Sequence, residues 1–187
     1  FIRNGKVRRL IISDTSFNEQ EMESLDLSSE HVGNEVSPVI GALLSCFDYI
    51  PAAGGVVRFE EKFWLFIFRN GKWDLPKGKL EKKDKDHKGF VFTIMNAALR
   101  EVREETGLKT LKVIARLPGT WHIFTHKRKV FLKHTYWFLL EGSGDEQLVP
   151  QSSEGIDDVR WIAGDKLSSV LDNTYHSLKD LLTPLIR

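Results

Sequence analysis

The sequence predicts an α/β fold in which helices pack on a sheet. Three observations support this class. The apolar run FWLFIF at 63–68 is typical of a strand that is buried on both faces. A segment with helical spacing follows at 89–106, and further strand-like and helical segments come after it. Strands with interspersed helices are characteristic of an α/β sandwich.

The composition is that of a globular chain without a strong charge bias. Its 187 residues, 41% hydrophobic and 28% charged, suit one domain or one domain with a small appendage. The formal net charge of +1 does not favour nucleic acid as a partner, and no apolar run approaches the roughly 20 residues of a membrane helix. The single cysteine, Cys46, excludes a disulfide within the chain and favours a reducing, cytoplasmic setting.

Two regions are predicted along the chain: residues 1–48 as an N-terminal appendage and residues 49–187 as the main domain. The segment FIRNGKVRRLIIS is expected to form a small hairpin, because Asn4-Gly5 readily supplies the positive φ angles of a tight turn. A polar, acidic stretch with one short helix follows, and then an apolar segment leads into the main domain.

Two strands and a loop are expected to open the main domain. The strands are AAGGVVRF at 52–59 and FWLFIF, and Asn70-Gly71 marks a turn after them. WDLPKGKLE at 73–81 is predicted to be an irregular loop because it contains a proline and a glycine.

A helix is expected from about Gly89 to Thr106, with Gly107 as its C-terminal stop. Glu101 and Glu105 fall about 100° from the apolar stripe of this helix, at its border. The residues of the stripe, which should face the core, are Val91, Met95, Ala98 and Val102.

The rest of the chain is predicted to contain a strand pair, one more strand and two helices. TWHIFTH at 120–126 should pair with KVFLKHTYWFLLEG at 129–142, and DDVRWI at 157–162 should form the next strand. DKLSSVL at 165–171 and SLKDLLTPLI at 177–186 are the expected helices.

The predicted long helix places Glu101, Glu104 and Glu105 within five positions. Residues three and four apart on a helix are neighbours, so these like charges destabilise it by a few tenths of a kcal/mol. Two explanations stay open. Arg100 could pair with Glu104 on an ordinary solvated face, or the three glutamates could surround a divalent cation, which prefers carboxylate oxygens.

GKLE at 78–81, followed by REVREETGL at 100–108, resembles the signature of the Nudix hydrolase family. The resemblance extends over about residues 51–162. WDLPKGKLE also resembles the branch that includes diadenosine polyphosphate and diphosphoinositol polyphosphate hydrolases. The second half of the signature is matched by Arg100, Glu101, Val102, Glu104, Glu105, Gly107 and Leu108.

The resemblance implies an α/β/α sandwich with a mixed sheet, and an enzyme that cleaves a diphosphate by water attack at phosphorus. Similar enzymes hold Mg²⁺ or Mn²⁺ with the motif glutamates. Carried over to this chain, Glu104 and Glu105 would be metal ligands together with the Lys77 carbonyl, and Glu101 would be a ligand or the base. The structural positions of the motif would be Gly78, Arg100 and Gly107.

The chain departs from the family pattern between Gly78 and Arg100. Here 21 residues separate the two, an insertion of eight relative to the family. The acidic residue of the first half of the signature is therefore displaced. Counted from Gly78, its place falls on Asp84, and we expect Asp84 or Asp86 to steady the loop through Arg100.

Further candidates come from other segments, each with an ordinary alternative. Glu154 lies where similar enzymes often supply one more carboxylate, so it is a candidate catalytic residue, or it is a plain loop glutamate. His122 could bind phosphate or act as a base, or have no functional role. The candidate substrate contacts beside the glutamates, which could also be solvated surface residues, are Lys77, Gly78, Lys79 and Lys82.

Two functions follow from these observations. The first is a metal-dependent hydrolase that cleaves the diphosphate of a nucleoside diphosphate linked to another moiety, with dinucleoside polyphosphates among the candidates. The second is a non-catalytic module of the same fold that binds a nucleotide-like ligand. The intact glutamates favour the first, and the insertion favours the second. The expected partner is a small diphosphate-containing molecule, and the formation of a homodimer is left open.

Overall fold

The computed structural model describes residues 2–3, 6–7 and 47–186. The first two strands, β1 (Ile2–Arg3) and β2 (Lys6–Val7), pair antiparallel, which confirms the predicted N-terminal hairpin. The turn between them, the helix predicted for the appendage and Cys46 lie outside the described residues.

Seven strands within residues 47–186 form one sheet. The prediction of an irregular loop at 73–81 is wrong in part, because this segment contributes two short strands on either side of Pro76. Proline cannot donate to a strand ladder, so the strand pairing is interrupted there. The strands are β3 (Asp48–Phe59), β4 (Phe63–Arg69), β5 (Lys72–Asp74), β6 (Lys77–Lys79), β7 (Leu111–His126), β8 (Lys129–Gly142) and β9 (Ile156–Ala163).

The sheet is mixed, as the resemblance implied. β3 runs parallel to β8, and β8 runs antiparallel to β7. β3 and β4 pair only next to their shared turn, through Arg58 with Trp64 and Phe59 with Phe63. Further along, β6 pairs with β3, whereas β9 and β5 pair with β4. β3 and β4 therefore separate, and the loop around β6 lies beside the gap.

Helices cover both faces of this sheet. α1 (Phe90–Thr106) packs on one face, where Ile94, Ala98 and Val102 join apolar residues of β3, β4, β8 and β9. α2 (Leu167–Asp172) and α3 (His176–Leu182) pack on the other face, over residues that include Phe66 and Trp137. The fold is thus the expected α/β/α sandwich. No helix among the described residues has the length and apolar character needed to cross a membrane.

The predicted ends of α1 are confirmed. The helix begins directly after Gly89 and ends at Thr106. Gly107 follows with a φ of 81°, a left-handed conformation that glycine adopts without steric cost, and its N–H donates to the Arg103 carbonyl at 3.0 Å. The next strand, β7, begins at Leu111 and is longer than the segment predicted from the alternation of 120–126.

The predicted buried stripe of α1 is confirmed for Ala98 and Val102, which are fully buried, and wrong for its other two residues. Val91 and Met95 are only partly buried, whereas Glu101 and Glu105 are 9% and 1% exposed. Charged groups can be buried in this way when they are hydrogen-bonded, and both carboxylates have such partners. The buried face of α1 consists of Ile94, Ala97, Ala98, Glu101, Val102, Glu105 and Thr106.

A histidine is buried at the start of β8, on the α1 face of the sheet. His134 is 2% exposed, and its ring stacks on Trp121 with centroids 3.7 Å apart. The Tyr49 hydroxyl lies 3.4 Å from its Nδ1. Burial, together with the positive charge of Arg116, lowers the pKa of His134 to about 3. The imidazole is therefore neutral in the folded protein at ordinary pH.

This burial predicts a specific loss of stability in mild acid. Below its ordinary pKa of 6.5, His134 takes up a proton in the unfolded chain but not in the folded one, so stability falls as the pH decreases. Between pH 7 and pH 5 the loss should be about 2 kcal/mol. Urea unfolding at both pH values should show that His134→Gln removes this difference. The exposed His87 is the matched control, and an equal effect of His87→Gln would contradict the assignment.

Candidate active site

Arg100 connects α1 to the loop that follows β6. Its Nε and Nη2 donate to the two oxygens of Asp84 at 2.7 and 2.8 Å, and Nη2 also donates to the Lys79 carbonyl at 3.0 Å. Its Nη1 donates to Oε1 of Glu101 at 2.6 Å and to Oε2 of Glu104 at 2.9 Å. All five N–H groups of the guanidinium are therefore used, which fixes the loop and two glutamates relative to each other.

Of the two aspartates considered for this role, Asp84 is the one that contacts Arg100. Asp84 is 3% exposed and also accepts a hydrogen bond from the Glu81 N–H at 2.7 Å. Burial disfavours its carboxylate, but the bonds from Arg100 and Glu81 outweigh that cost and lower its pKa. Asp86 instead accepts a hydrogen bond from the Asn96 side chain. The insertion thus supplies an acidic partner for Arg100.

We expect Asp84→Asn to destabilise the protein by about 2 kcal/mol, because the amide would turn an N–H group towards the Arg100 donors or leave one of them unpaired. Asp86→Asn is the matched control and should cost clearly less, since Asp86 does not touch the guanidinium. Urea unfolding of both variants measures the difference. Equal losses would mean that Arg100 does not depend on Asp84.

Glu105 is the most buried carboxylate of α1. Its Oε2 accepts the Lys77 backbone N–H at 2.7 Å, and its Oε1 accepts from Arg69 Nη1 at 3.2 Å. Burial raises the pKa of Glu105 to about 7, although Arg69 acts in the opposite direction. The buried Asp74 holds Arg69 at 3.1 Å and the Lys77 ammonium at 2.5 Å. Two cations and two carboxylates therefore form one connected group behind α1.

The other two glutamates lie at the edge of the same group. A Cβ on Gly78 would come within 2.2 Å of the Glu101 carboxylate, so only glycine fits there. Burial raises the pKa of Glu101, and the nearby negative charge of Glu154 acts in the same direction. Glu104 is more exposed and accepts a hydrogen bond from Lys83 at 3.1 Å. The structure thus brings Glu154, from another segment, next to Glu101.

A divalent cation in this site would need oxygen ligands from the signature carboxylates. Within residues 47–186, no three side chains of His, Cys, Asp or Glu are arranged as a ready metal site. Each signature glutamate is paired with a cationic side chain instead. The donor set nevertheless fits a hard cation, because Glu101 and Glu104 direct one oxygen each at a single positive group, Nη1 of Arg100.

A cavity of about 270 Å³ adjoins this group through Arg69 and Lys77, which line it and are both bonded to Glu105, whereas none of the three signature glutamates lines it. Of the predicted substrate contacts, Lys77 and His122 line it, as does Glu154. Gly78, Lys79 and Lys82 do not: the first two lie on β6, and Lys82 begins the 3₁₀ turn that follows it. The lining residues that the sequence analysis missed include Arg69, Asp74, Thr120, Lys133, Thr135 and Tyr175.

Two of the missed residues left a weak signal in the sequence. Lys133 interrupts the apolar run of β8, and Arg69 directly follows FWLFIF. A charge at such a position is costly unless it is paired or functional. Neither residue could be assigned to the site without knowing which face of the sheet the cavity occupies.

The sequence profile of the NUDIX domain matches residues 48–183. The chain therefore belongs to the Nudix family, and with its signature glutamates present it is a pyrophosphohydrolase of that class. A search of curated proteins finds no match.

Solved structures of several proteins share this fold. An Ap4A hydrolase from C. elegans, in a binary complex, is 19% identical with a TM-score of 0.52, covering 71% of this chain and 92% of its own. A MutT protein from Methanosarcina mazei Go1 is 20% identical with a TM-score of 0.53, covering 74% and 94%. A bifunctional NMN adenylyltransferase/ADP ribose pyrophosphatase from Francisella tularensis is 17% identical with a TM-score of 0.51, covering 80% of this chain and 45% of its own.

Proposed function

We propose that the chain is a metal-dependent hydrolase that cleaves the diphosphate of a nucleoside diphosphate linked to another moiety. The observation that supports this most is the grouping of Glu101, Glu104 and Glu105 next to a cavity that contains several cationic side chains. A diphosphate could then bind between the glutamates, which would hold the metal, and the cationic side chains of the cavity, so that its charge is neutralised from both sides.

Mg²⁺ or Mn²⁺ would be held by the carboxylates of Glu104 and Glu105 and by the Lys77 carbonyl, with Glu101 as a further ligand or as the base. The similar Francisella protein was solved with AMP and a Mn ion, which supports this choice of metal. When bound, the ion would neutralise the charge of the phosphates and acidify water. Arg100 would hold the glutamates and the loop in register through its contacts with Asp84 and Lys79.

In the proposed reaction, the oxygen of a water molecule forms a bond to phosphorus and the bond to the leaving phosphate oxygen breaks. The water proton passes to a carboxylate. Glu101 and Glu154 are the candidates, because Glu154 lines the cavity and its charge acts on Glu101, and because burial raises the pKa of Glu101. Arg69 and Lys77 would compensate the charge of the leaving phosphate.

The proposal is tested by measuring phosphate-containing products from dinucleoside polyphosphates, nucleotide sugars, ADP-ribose and inositol diphosphates with Mg²⁺ and Mn²⁺. We expect turnover of at least one class, and its loss on addition of EDTA. The alternative, a non-catalytic binding module, is favoured by the cationic pairing of every signature glutamate. Binding of a nucleotide without any turnover would establish that alternative.

A further inference from the structure

The inner wall of the cavity is formed by two neighbouring strands. On β7 and β8, His122 pairs with Lys133 and Thr120 pairs with Thr135. All four side chains line the cavity, as expected for alternate positions on one face of a sheet. They form a two-by-two patch of hydrogen-bonding groups, which we call the β7–β8 patch.

The β7–β8 patch contains a lysine without a counter-ion. Lys133 is half-buried, and the structure gives its ammonium no hydrogen bond or ion pair among residues 47–186. Arg69 and Lys77 line the same cavity, but both are held by Asp74. Burial lowers the pKa of Lys133 to about 8, and the charges of Lys77 and Arg69 act in the same direction. Asp74 and Glu105 act in the opposite direction, but neither forms an ion pair with Lys133, so the cavity contains a cation without a direct ionic partner among residues 47–186.

The two threonines supply further hydrogen-bonding capacity. Thr135 is 4% exposed, and its hydroxyl has no hydrogen-bond partner in the described part of the chain. Thr120 accepts from Trp137 Nε1 at 2.9 Å, which leaves its own hydroxyl proton available as a donor. An anion with several acceptor oxygens would satisfy Lys133 and both hydroxyls at once.

We propose that the β7–β8 patch binds a phosphate group of the substrate other than the diphosphate that is cleaved. The substrate class is then a diphosphate compound extended by further phosphate, rather than one whose second moiety is a neutral sugar. This inference rests on the proposed function for the identity of the scissile bond, but anion binding by the patch does not depend on it.

An aromatic base is a poorer occupant of this part of the cavity. Trp137 is fully buried, and its indole N–H is already bonded to Thr120. Tyr175 also lines the cavity and is 38% exposed, with the Lys72 ammonium 5.8 Å from the centre of its ring. Three of the four side chains of the patch offer an ammonium or hydroxyl groups, and the ring of the fourth, His122, already stacks on Phe124.

The first experiment measures the binding of tripolyphosphate by calorimetry, without divalent metal. Under these conditions the glutamates repel the probe, so binding reports on the cationic side chains. We expect Lys133→Met to weaken binding at least about tenfold, the scale of a lost hydrogen bond to a charged group. Thermal unfolding of the variant checks its fold. Undiminished binding by a folded Lys133→Met protein would overturn the proposal.

Lys112 provides the matched control. It is an exposed lysine on β7 that pairs with Glu141, eight positions further along β8 than Lys133. Lys112→Met should change tripolyphosphate binding less than about twofold. Equal weakening by both variants would indicate general attraction to the surface charge, and would also overturn the proposal.

The second experiment compares two substrates that share an ADP group. We expect Lys133→Met to lower kcat/KM for diadenosine tetraphosphate at least about tenfold, and for ADP-ribose less than about threefold. Equal losses would contradict the assignment of an additional phosphate. If the wild type cleaves neither substrate nor any other diphosphate, the proposed function fails, and the calorimetric comparison still decides whether the patch binds phosphate.

Discussion

Glu105→Gln is expected to lower kcat by at least about 10²-fold and to weaken Mn²⁺ binding. The amide keeps the shape of the side chain but removes the charge that a divalent ion requires. Even residues that only orient metal ligands change activity about 10- to 100-fold, so the loss of a ligand should not be smaller. The measurements are steady-state kinetics with Mg²⁺ and a Mn²⁺ titration followed by electron paramagnetic resonance.

The fold of this variant should remain intact. Because burial raises the pKa of Glu105 to about 7, a neutral side chain is already populated at this position at neutral pH. Above pH 7 the amide avoids the cost of a buried charge, which offsets the loss of one acceptor for Arg69 or the Lys77 N–H, so the folded structure should be retained there. Glu61→Gln is the control, since Glu61 is 75% exposed and far from α1 in the chain. Turnover in Glu105→Gln equal to that of Glu61→Gln would refute the metal assignment.

A comparison of Glu154→Gln with Glu101→Gln should identify the general base. Three glutamates on one helix approach an ion from one side only, and Glu154 comes from the short 3₁₀ turn before β9. Its negative charge acts on Glu101, so the two carboxylates are close enough to share a proton-transfer role. We expect kcat to fall at least about 10²-fold in one variant and not in the other, the scale of a lost base.

The pH profile distinguishes the two candidates further. Glu101 is 9% exposed and bonded to Arg100 at 2.6 Å, whereas Glu154 is exposed and lines the cavity. If Glu154→Gln behaves like the wild type from pH 6 to pH 9 under saturating Mg²⁺, Glu154 is a surface residue and the base must come from α1. His122, which also lines the cavity, is the third candidate and would be tested only if neither glutamate variant loses activity.

The sequence was most informative where one local pattern determines the structure. The ends of α1 followed from spacing and from Gly107, whose left-handed φ of 81° is the reason for glycine at that position. The full buried face of α1 could not be predicted in this way, because the spacing of apolar residues does not reveal charged side chains that are also buried. Glu105 is buried through bonds to Lys77 and Arg69, which are 28 and 36 positions away in the sequence.

The set of residues that line the cavity was even less predictable from local sequence patterns. His122 and Lys133 come together only through the register of β7 and β8, which depends on the turn at Lys127-Arg128, where both residues have positive φ. Alternation along a strand indicates that two faces exist, but not which of them carries the cavity. Lys133 could therefore be noticed in the sequence but not placed in the site.

Arg69 connects the signature glutamates with the cavity. Its Nη1 lies 3.2 Å from Oε1 of Glu105, and its side chain also lines the cavity. A cation that binds Glu105 would weaken the ion pair between Glu105 and Arg69. The positive charge of Arg69 would then be available to an anion in the cavity. By thermodynamic reciprocity, the anion must then strengthen the binding of the cation by the same factor. In the proposed reaction, metal and substrate would thereby be coupled through one side chain.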